Sequence, residues 1–537
     1  MVDRRSFLQA SAALCTALWN HARGAGLASD PGRIALVIGN NAYPQVPLAN
    51  AANDARAMAE VLGDAGFKVD SRVDASAAAM SQSVRDFGKA LARPEVKLAV
   101  FYYAGHGAQV EWRNFLLPVD AKVTNAAELR TQTFDLGAVL DVLPKSRDKV
   151  FVIILDACRD NPFGPSFHPE RQGLSQFDAP LSTIIAFSTS PGSVASDGAG
   201  ANGLYTENLA RELKVKGLRI EDVFKRVRAN VSVASLGRQI PWESTSLVSD
   251  VYMFAPPAPL TQEEQEREFE QEVELWTRVK GSKNPADWAA LLRSFPNGRL
   301  SEIAQARLNL LLAQAGPTAT RGIVKHKGIV LGPGLPVPDF LARSENPFSM
   351  GTYALDRHFS VGDEAIYRRL DEDTKGEGQL RRHVTSVDIE GDRVELNGGR
   401  FATDLLGNLL KRQGEVYLVP VQIAPAELQV GKRWLARFHA ERPRGEFDEE
   451  MSAEIVARER IKVPAGEFDA FRMEARISGI QSGVAFKRRA AISRRVEHVI
   501  WEVPGLNFPV KELKTLYRRN GQVQVESIEL ESLRQEV

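Results

Sequence analysis

Two residues that could form a nucleophilic pair, His106 and Cys158, lie 52 positions apart in the sequence. A cysteine attacks as its thiolate, and a neighbouring imidazole can accept the thiol proton and stabilise the anion that results. Taken singly, each residue could equally be a buried structural side chain, because cysteine is among the most buried residue types. Both, however, lie just past the end of a run of apolar residues, which is where catalytic groups are placed in open α/β sheets.

The elements that must position this pair alternate between strands and helices from residue 33 to about residue 255. The apolar runs IALVIG (34–39), KLAVFYY (97–103) and VFVIIL (150–155) are typical of strands buried on both faces of a parallel sheet. Between the first two, AANDARAMAEVL (51–62) has apolar residues at helical spacing. The pattern predicts an open α/β sheet with His106 and Cys158 at the carboxyl ends of neighbouring strands.

Two glycines flank the histidine, and both favour a reactive site. Gly105 and Gly107 carry no side chain that could crowd the imidazole. The backbone amide of Gly107 is also placed to point into the cleft, as a donor to an oxyanion must be.

The remaining chain changes character along its length. A Pro-rich stretch follows residue 255, a capping box at Thr261 opens a helical pattern, and Gly and Pro recur from 316 to 347. The acidic run 263–274 keeps the helical period and is interpreted as a solvated helix face. Beyond it, Ile461–Val463 and 471–477 alternate apolar and charged residues around a Pro-Ala-Gly turn, which predicts a hairpin.

These shifts divide the chain into a leader, an α/β domain, a small all-α unit and a mostly antiparallel β domain, with linkers between them. The predicted boundaries are an export signal peptide (1–28), the α/β domain (32–255), a Pro-rich linker (256–262), the helical unit (263–315), a second linker (316–347) and the C-terminal β domain (348–537).

Composition agrees with several folded domains and excludes some classes of partner. The 537 residues are 44% apolar, 25% charged and 8% aromatic, which is average for globular proteins. Lys plus Arg and Asp plus Glu both total 68. The chain has no net positive charge that would attract nucleic acid, so we do not expect a nucleic-acid partner. We also expect no stable membrane span.

At the N-terminus, Arg4 and Arg5 precede a short apolar stretch and then small residues, which is the layout of a twin-arginine export signal. We therefore expect a periplasmic or secreted protein. Cleavage there would remove Cys15 and leave Cys158 as the sole thiol, a liability in an oxidising compartment unless its reactivity is the reason for keeping it. An unprocessed amphipathic helix and a lipoprotein tethered through Cys15 are the alternatives.

Residues 33–255 resemble a bacterial caspase-like domain of the metacaspase and orthocaspase branch of the clan CD cysteine peptidases. The resemblance rests on five motifs and on the order of the pair, with the His roughly 50 residues before the Cys. The motifs are ALVIGNNAY (35–43), LANAANDA (48–55), FYYAGHG (101–107), LDACRDNPF (155–163) and FSTSPGSVASDG (187–198).

The resemblance implies a caspase-haemoglobinase-like fold and a cysteine endopeptidase. It makes Cys158 the nucleophile, His106 the general base, and the amides of Gly107 and Cys158 the oxyanion hole. It also makes Asp156 and Asp54 the acidic lining of a pocket for Arg or Lys in peptide and protein substrates. Two carboxylates would pair with a guanidinium and repel an acidic side chain.

The sequence departs from the family pattern at Ala51 and Ala104, where metacaspases usually carry Cys and Ser. Asp54 could instead be an acidic residue favoured by the dipole of its own helix. No cofactor is required by a Cys–His pair, and calcium, with Asp160 and Asp197 as acidic candidates, stays open.

A different class of function also stays open, namely a non-catalytic caspase-fold scaffold or binding protein of the cell envelope. The helical unit is interpreted as a scaffold. The C-terminal β domain could bind another protein or a lipid, or could be a plain adaptor.

Overall fold

A computed structural model describes most of the chain from residue 30 onward. The described residues are 30–144, 147–158, 163, 173–190, 200–315, 328–341, 345–355, 357–371, 374–442, 445–481, 494–518 and 521–536.

The N-terminal part forms an eight-stranded sheet. Its strands are β1 (Arg33–Gly39), β2 (Lys68–Val73), β3 (Leu98–Val110), β4 (Arg113–Leu116), β5 (Phe134–Asp135), β6 (Val150–Cys158), β7 (Thr183–Phe187) and β8 (Trp242–Thr245). The main path is β2-β1-β3-β6-β7-β8, in which only β8 runs antiparallel to its neighbour. The predicted open sheet is confirmed, with the three apolar runs at its centre as β1, β3 and β6.

Helices cover both faces of this sheet. They are α1 (Ala51–Asp64), α2 (Ala77–Leu91), α3 (Ala126–Gln132), α4 (Leu136–Asp141), α5 (Leu204–Leu213) and α6 (Ile220–Ala234). One apolar core joins the sheet to α1, α5 and α6, through side chains such as Met58, Leu209 and Val227. A second core joins the other face to α2 and α4, through Val84, Phe87 and Val139. Because the central strands are buried on both faces of the sheet, their sequences are continuous apolar runs.

Three further helices follow the Pro-rich stretch: α7 (Gln262–Val279), α8 (Pro285–Ser294) and α9 (Ser301–Ala315). The predicted capping box at Thr261 is confirmed. The side chain of Thr261 accepts a hydrogen bond from the backbone amide of Glu264, and the side chain of Glu264 accepts one from the backbone amide of Thr261. The helices do not stand apart. Trp288 of α8 shares a core with Ala229 of α6, and Val273 of α7 packs against the C-terminal sheet.

One residue of the acidic run departs from the predicted solvated face. Glu272 is only 3% exposed, and its carboxylate accepts hydrogen bonds from the amides of Arg299 (2.8 Å) and Leu300 (2.7 Å), just before α9 begins. Burial raises the pKa of Glu272 to about 7, against the lowering effect of these amides. The helical period could not show this, because the partner amides lie in a later turn.

The C-terminal part is a 13-stranded antiparallel sheet in which the strand Glu364–Asp371 also pairs with the last strand, Val523–Gln535, so that the sheet closes on itself in a barrel-like way. Its strands are β9 (Ile329–Leu331), β11 (Glu364–Asp371), β12 (Glu377–Asp388), β13 (Arg393–Leu396), β14 (Phe401–Thr403), β15 (Leu409–Arg412), β16 (Glu415–Val421), β18 (Arg433–Arg442), β19 (Gly445–Val463), β20 (Gly466–Gln481), β21 (Arg494–Glu502), β22 (Lys511–Tyr517) and β23 (Val523–Gln535). A short separate pair joins β10 (Tyr353–Ala354) to β17 (Glu427–Leu428).

Two expectations for this part meet different outcomes. The hairpin around the Pro-Ala-Gly turn is confirmed as β19 and β20, with Val463 paired to Gly466. The predicted linker 316–347 is partly structured, since β9 pairs with β23 and Asp339–Leu341 forms a 3-10 turn. Ile329 and Leu331 bury apolar side chains there, so the β-rich part begins before residue 348.

Candidate active site

His106 and Cys158 occupy paired positions on neighbouring parallel strands. The register of β3 and β6 runs from Leu98 opposite Val150 to His106 opposite Cys158. Beyond this point β3 changes partner, because Gly107 pairs with Leu116 of the antiparallel β4. His106 and Gly107 thus lie where β3 leaves the parallel sheet, at its carboxyl edge. The side chain of Cys158 lies outside the described part.

The imidazole of His106 is held by a backbone carbonyl and a tyrosine ring. Its Nε2 lies 2.7 Å from the carbonyl oxygen of Val46, and its ring centroid lies 4.4 Å from that of Tyr43. A carbonyl oxygen can only accept a hydrogen bond, so Nε2 carries the proton of the neutral ring. Nδ1 is then the basic nitrogen, and the residue is only 1% exposed.

Two tyrosine hydroxyls fix the backbone of His106. Tyr43 accepts a hydrogen bond from the amide of His106 (3.0 Å), and Tyr103 donates to its carbonyl (2.7 Å). A β-carbon on Gly105 would lie 2.6 Å from both hydroxyl oxygens, so only glycine fits at this position. Both tyrosines lie within the family motifs, but residue type alone does not indicate this role.

Gly107 is packed as tightly on its other side. A β-carbon there would lie 2.9 Å from Leu174 Cδ2 and 3.1 Å from the β-carbon of Ala157. Leu174 and the residue that precedes Cys158 are therefore both neighbours of the predicted oxyanion donor. It lies outside every sequence motif, so no pattern could have indicated it.

The two predicted pocket carboxylates approach one another at the N-terminus of α5. Asp156 accepts a hydrogen bond from the hydroxyl of Thr206 (2.6 Å). Asp54 accepts from the side-chain amide of Asn202 (2.8 Å) and from the backbone amide of Gly203 (3.0 Å). A β-carbon on Gly203 would lie 3.1 Å from Asp54 Oδ2 and 3.7 Å from Asp156 Oδ2, so both oxygens border one small space.

The electrostatics around Tyr102 agree with this proximity. Burial raises the pKa of Tyr102 well above its usual value, and the charges of Asp156 and Asp54 raise it further. The Tyr102 hydroxyl lies 2.6 Å from that of Thr206. Since Thr206 gives its only proton to the carboxylate of Asp156, Tyr102 donates to Thr206. This chain of hydrogen bonds fixes the orientation of Asp156.

The helix-charge alternative for Asp54 is compatible with the same geometry. Asp54 lies in the first turn of α1, where the macrodipole favours an acidic residue, and is 3% exposed. Its carboxylate nevertheless reaches across to Gly203, the N-cap of α5. The positive end of α5 therefore stabilises the charge on Asp54, and the hydroxyl of Thr206 stabilises that on Asp156.

Residues 32–252 match the family model described as a caspase domain. The chain thus contains a caspase-like domain, and the match includes every predicted site residue. The search of curated proteins gives no match for this chain. The helical and C-terminal parts lie beyond the matched segment.

Some residues that the sequence analysis named lie outside the described part of the chain. Asp160, Asp197, Cys15 and the twin-arginine segment lie outside the described residues. Within the described residues, no group of three or more His, Cys, Asp or Glu side chains is arranged to hold a metal ion. No helix in that part is long and apolar enough to span a membrane.

Proposed function

We propose that the protein is a cysteine endopeptidase of the caspase and metacaspase type that cleaves protein or peptide chains after Arg or Lys. The observation that carries the proposal is the register of β3 and β6, which sets His106 opposite Cys158 at the sheet edge of a domain matching the caspase family model.

In this proposal Cys158 is the nucleophile. Its thiol gives a proton to Nδ1 of His106, the nitrogen left basic by the hydrogen bond of Nε2 to Val46. The thiolate attacks the scissile carbonyl, and the amides of Gly107 and Cys158 stabilise the oxyanion. The protonated His106 then gives its proton to the leaving amine, and water hydrolyses the acyl-enzyme.

The side chain before the scissile bond would enter the space beside Gly203. Asp156 and Asp54 each have one carboxylate oxygen that borders that space. A guanidinium there can form a forked pair, whereas lysine makes a single-point contact. We therefore expect arginyl bonds to be cleaved at least as fast as lysyl bonds, and aspartyl bonds hardly at all.

The proposal includes export through the twin-arginine pathway. A lone thiol is a liability in an oxidising compartment, and its role as the nucleophile explains why it is kept there. The mechanism requires no cofactor.

The test is labelling of the purified protein with electrophilic peptides that end in arginine or in aspartate. We expect the arginyl probe to modify Cys158, and the Cys158→Ala variant to remain unlabelled. Preference for the aspartyl probe would overturn the pocket assignment but keep the dyad. A protein that neither probe labels would favour the scaffold alternative.

A further inference from the structure

A segment that follows the nucleophile in the chain is held from outside the caspase-like domain. We name residues 173–179 the wall segment and residues 346–352 the arm. The wall segment precedes β7, within the matched domain, while the arm precedes β10, almost one hundred residues beyond the end of the match.

On its inner side the wall segment touches the candidate site. Leu174 is 1% exposed and lies against Gly107, whose backbone amide is the predicted oxyanion donor. The backbone of Ser175 is fixed by the buried side chain of Asn114 in β4, which accepts from its amide (2.6 Å) and donates to its carbonyl (3.0 Å).

On its outer side the wall segment is held by the arm. The side-chain amide of Asn346 donates to the carbonyl of Gln176 (2.9 Å) and to the hydroxyl of Ser175 (3.2 Å). The amide of Asp178 donates to the carbonyl of Phe348 (3.0 Å). The rings of Phe177 and Phe348 stack with centroids 4.8 Å apart.

The carboxylate of Asp178 completes this interface. It accepts from the hydroxyl of Ser349 (2.7 Å) and from the amide of Met350 (2.7 Å). The arm itself is anchored to the closed sheet through Arg458, which donates to the carbonyl of Met350 and pairs with Asp469.

We propose that the arm of the C-terminal part is a positioning element of the peptidase site, which holds the wall segment so that Leu174 keeps Gly107 in place. The inference rests on the proposed function. Arm contacts act on the oxyanion side of the site, whereas Asp156 and Asp54 bind the substrate side chain at α5. Loss of the arm should therefore lower kcat more than it raises KM.

The main test variant is Asn346→Asp in the full chain. Aspartate keeps the acceptor for the amide of Phe348, which Asn346 now supplies at 2.9 Å, but loses the donor to Gln176 and Ser175. The new carboxylate would also face the carbonyl oxygen of Gln176, and we expect the loss of these hydrogen bonds to lower kcat about tenfold or more. The matched control is Asn284→Asp, an exposed helix cap where aspartate serves equally well.

Two readouts separate positioning from general damage. Alkylation of Cys158 by iodoacetamide forms no oxyanion, so its rate should stay within about twofold of wild type. Amide hydrogen exchange should become faster at Asp178, which the arm protects, but not at Ser175, which Asn114 protects. If Asn346→Asp does not fold, Phe348→Ala and Phe348→Tyr replace it, and only the tyrosine should keep the stack and kcat.

The outcomes distinguish the two proposals. Wild-type protein that leaves arginyl peptides intact would overturn the proposed function and this inference with it. Active wild-type protein whose arm variants keep normal kcat, or lose kcat no more than Asn284→Asp does, would overturn the inference alone. Unchanged exchange at Asp178 would do so as well.

Discussion

The substitution Asp156→Asn removes one negative charge from the proposed pocket and keeps the shape of the side chain. It therefore tests directly whether this charge selects arginyl substrates. Asn can still accept the hydrogen bond that Thr206 now gives to Asp156 at 2.6 Å, so the orientation set by α5 is retained. The change removes a negative charge at the space beside Gly203 and leaves Asp54 in place.

The expected magnitude follows from charge, distance and exposure. Two unit charges about 4 Å apart attract by about 4 kcal/mol at an effective dielectric constant of ~20. Removing one partner of a buried, hydrogen-bonded pair costs about 2–5 kcal/mol in comparable cases. Asp156 is half-buried and Asp54 remains, so we expect the lower part of this range. That corresponds to a loss of roughly thirtyfold to a hundredfold in kcat/KM for arginyl substrates.

The assay compares peptides that differ only in arginine or citrulline, its neutral isostere, before the scissile bond. Asp156→Asn should lower kcat/KM for the arginyl peptide and leave the citrullyl peptide nearly unchanged. Glu207→Gln is the control, because Glu207 is an exposed carboxylate on the same helix turn as Thr206. An arginine-to-citrulline ratio that Asp156→Asn leaves at its wild-type value would refute the pocket.

Three further outcomes are expected. Cys158→Ala and His106→Ala should each abolish turnover by several orders of magnitude, and the double variant should be no slower than either single one in peptide hydrolysis, because such partners act as a unit. N-terminal sequencing of native protein should find a mature end within residues 25–30, and an intact Met1 in the cytoplasm would refute export. The pKa of Glu272 is about 7 in the folded protein and near 4.5 when unfolded. Its contribution to stability is therefore full below pH 4.5 and lost as the pH rises through 7. Calorimetry should show that wild type loses up to about 3 kcal/mol relative to Glu272→Gln over that interval, and parallel stability curves would contradict this.

The central strands of the first domain were predictable because burial on both faces removes polar residues from them. β1, β3 and β6 are such strands, and the sequence shows each as an unbroken apolar run. β2 lies at the sheet edge, where exposed residues such as Lys68 and Arg72 interrupt the pattern. No run marked it, and it was missed for that reason.

Some residues of the candidate site are marked by the sequence around them, whereas others reach the site only through tertiary packing. His106 and Cys158 stand at the ends of apolar runs, so local pattern and family resemblance both indicated them. Val46 contributes only a carbonyl oxygen, which any residue type could supply. Thr206 and Leu174 reach the site through tertiary packing, and their neighbours in sequence carry no motif. The reactive side chains are therefore visible in the sequence, whereas the groups that orient them are not.

The parts beyond residue 252 are joined to the caspase-like domain by buried charges. Arg228 of α6 pairs with Glu243 of β8 and, at 2.8 Å, with Glu427 of β17. Lys432 pairs with the same Glu427 and with Glu302 of α9. These cations lower the pKa of Glu427 to about 2 despite its burial. All three parts of the chain thus contribute to one ion network.

A truncated protein would break this network as well as the arm. Cutting the chain at residue 252 removes Glu427 and leaves Arg228 paired with Glu243 alone. The same cut removes Asn346 and exposes the wall segment beside Gly107. A fragment limited to the matched domain therefore lacks groups that stabilise its own helix α6 and its candidate site. The family match covers the candidate site, whereas the contacts that hold the wall segment beside this site come from the arm, beyond the matched residues.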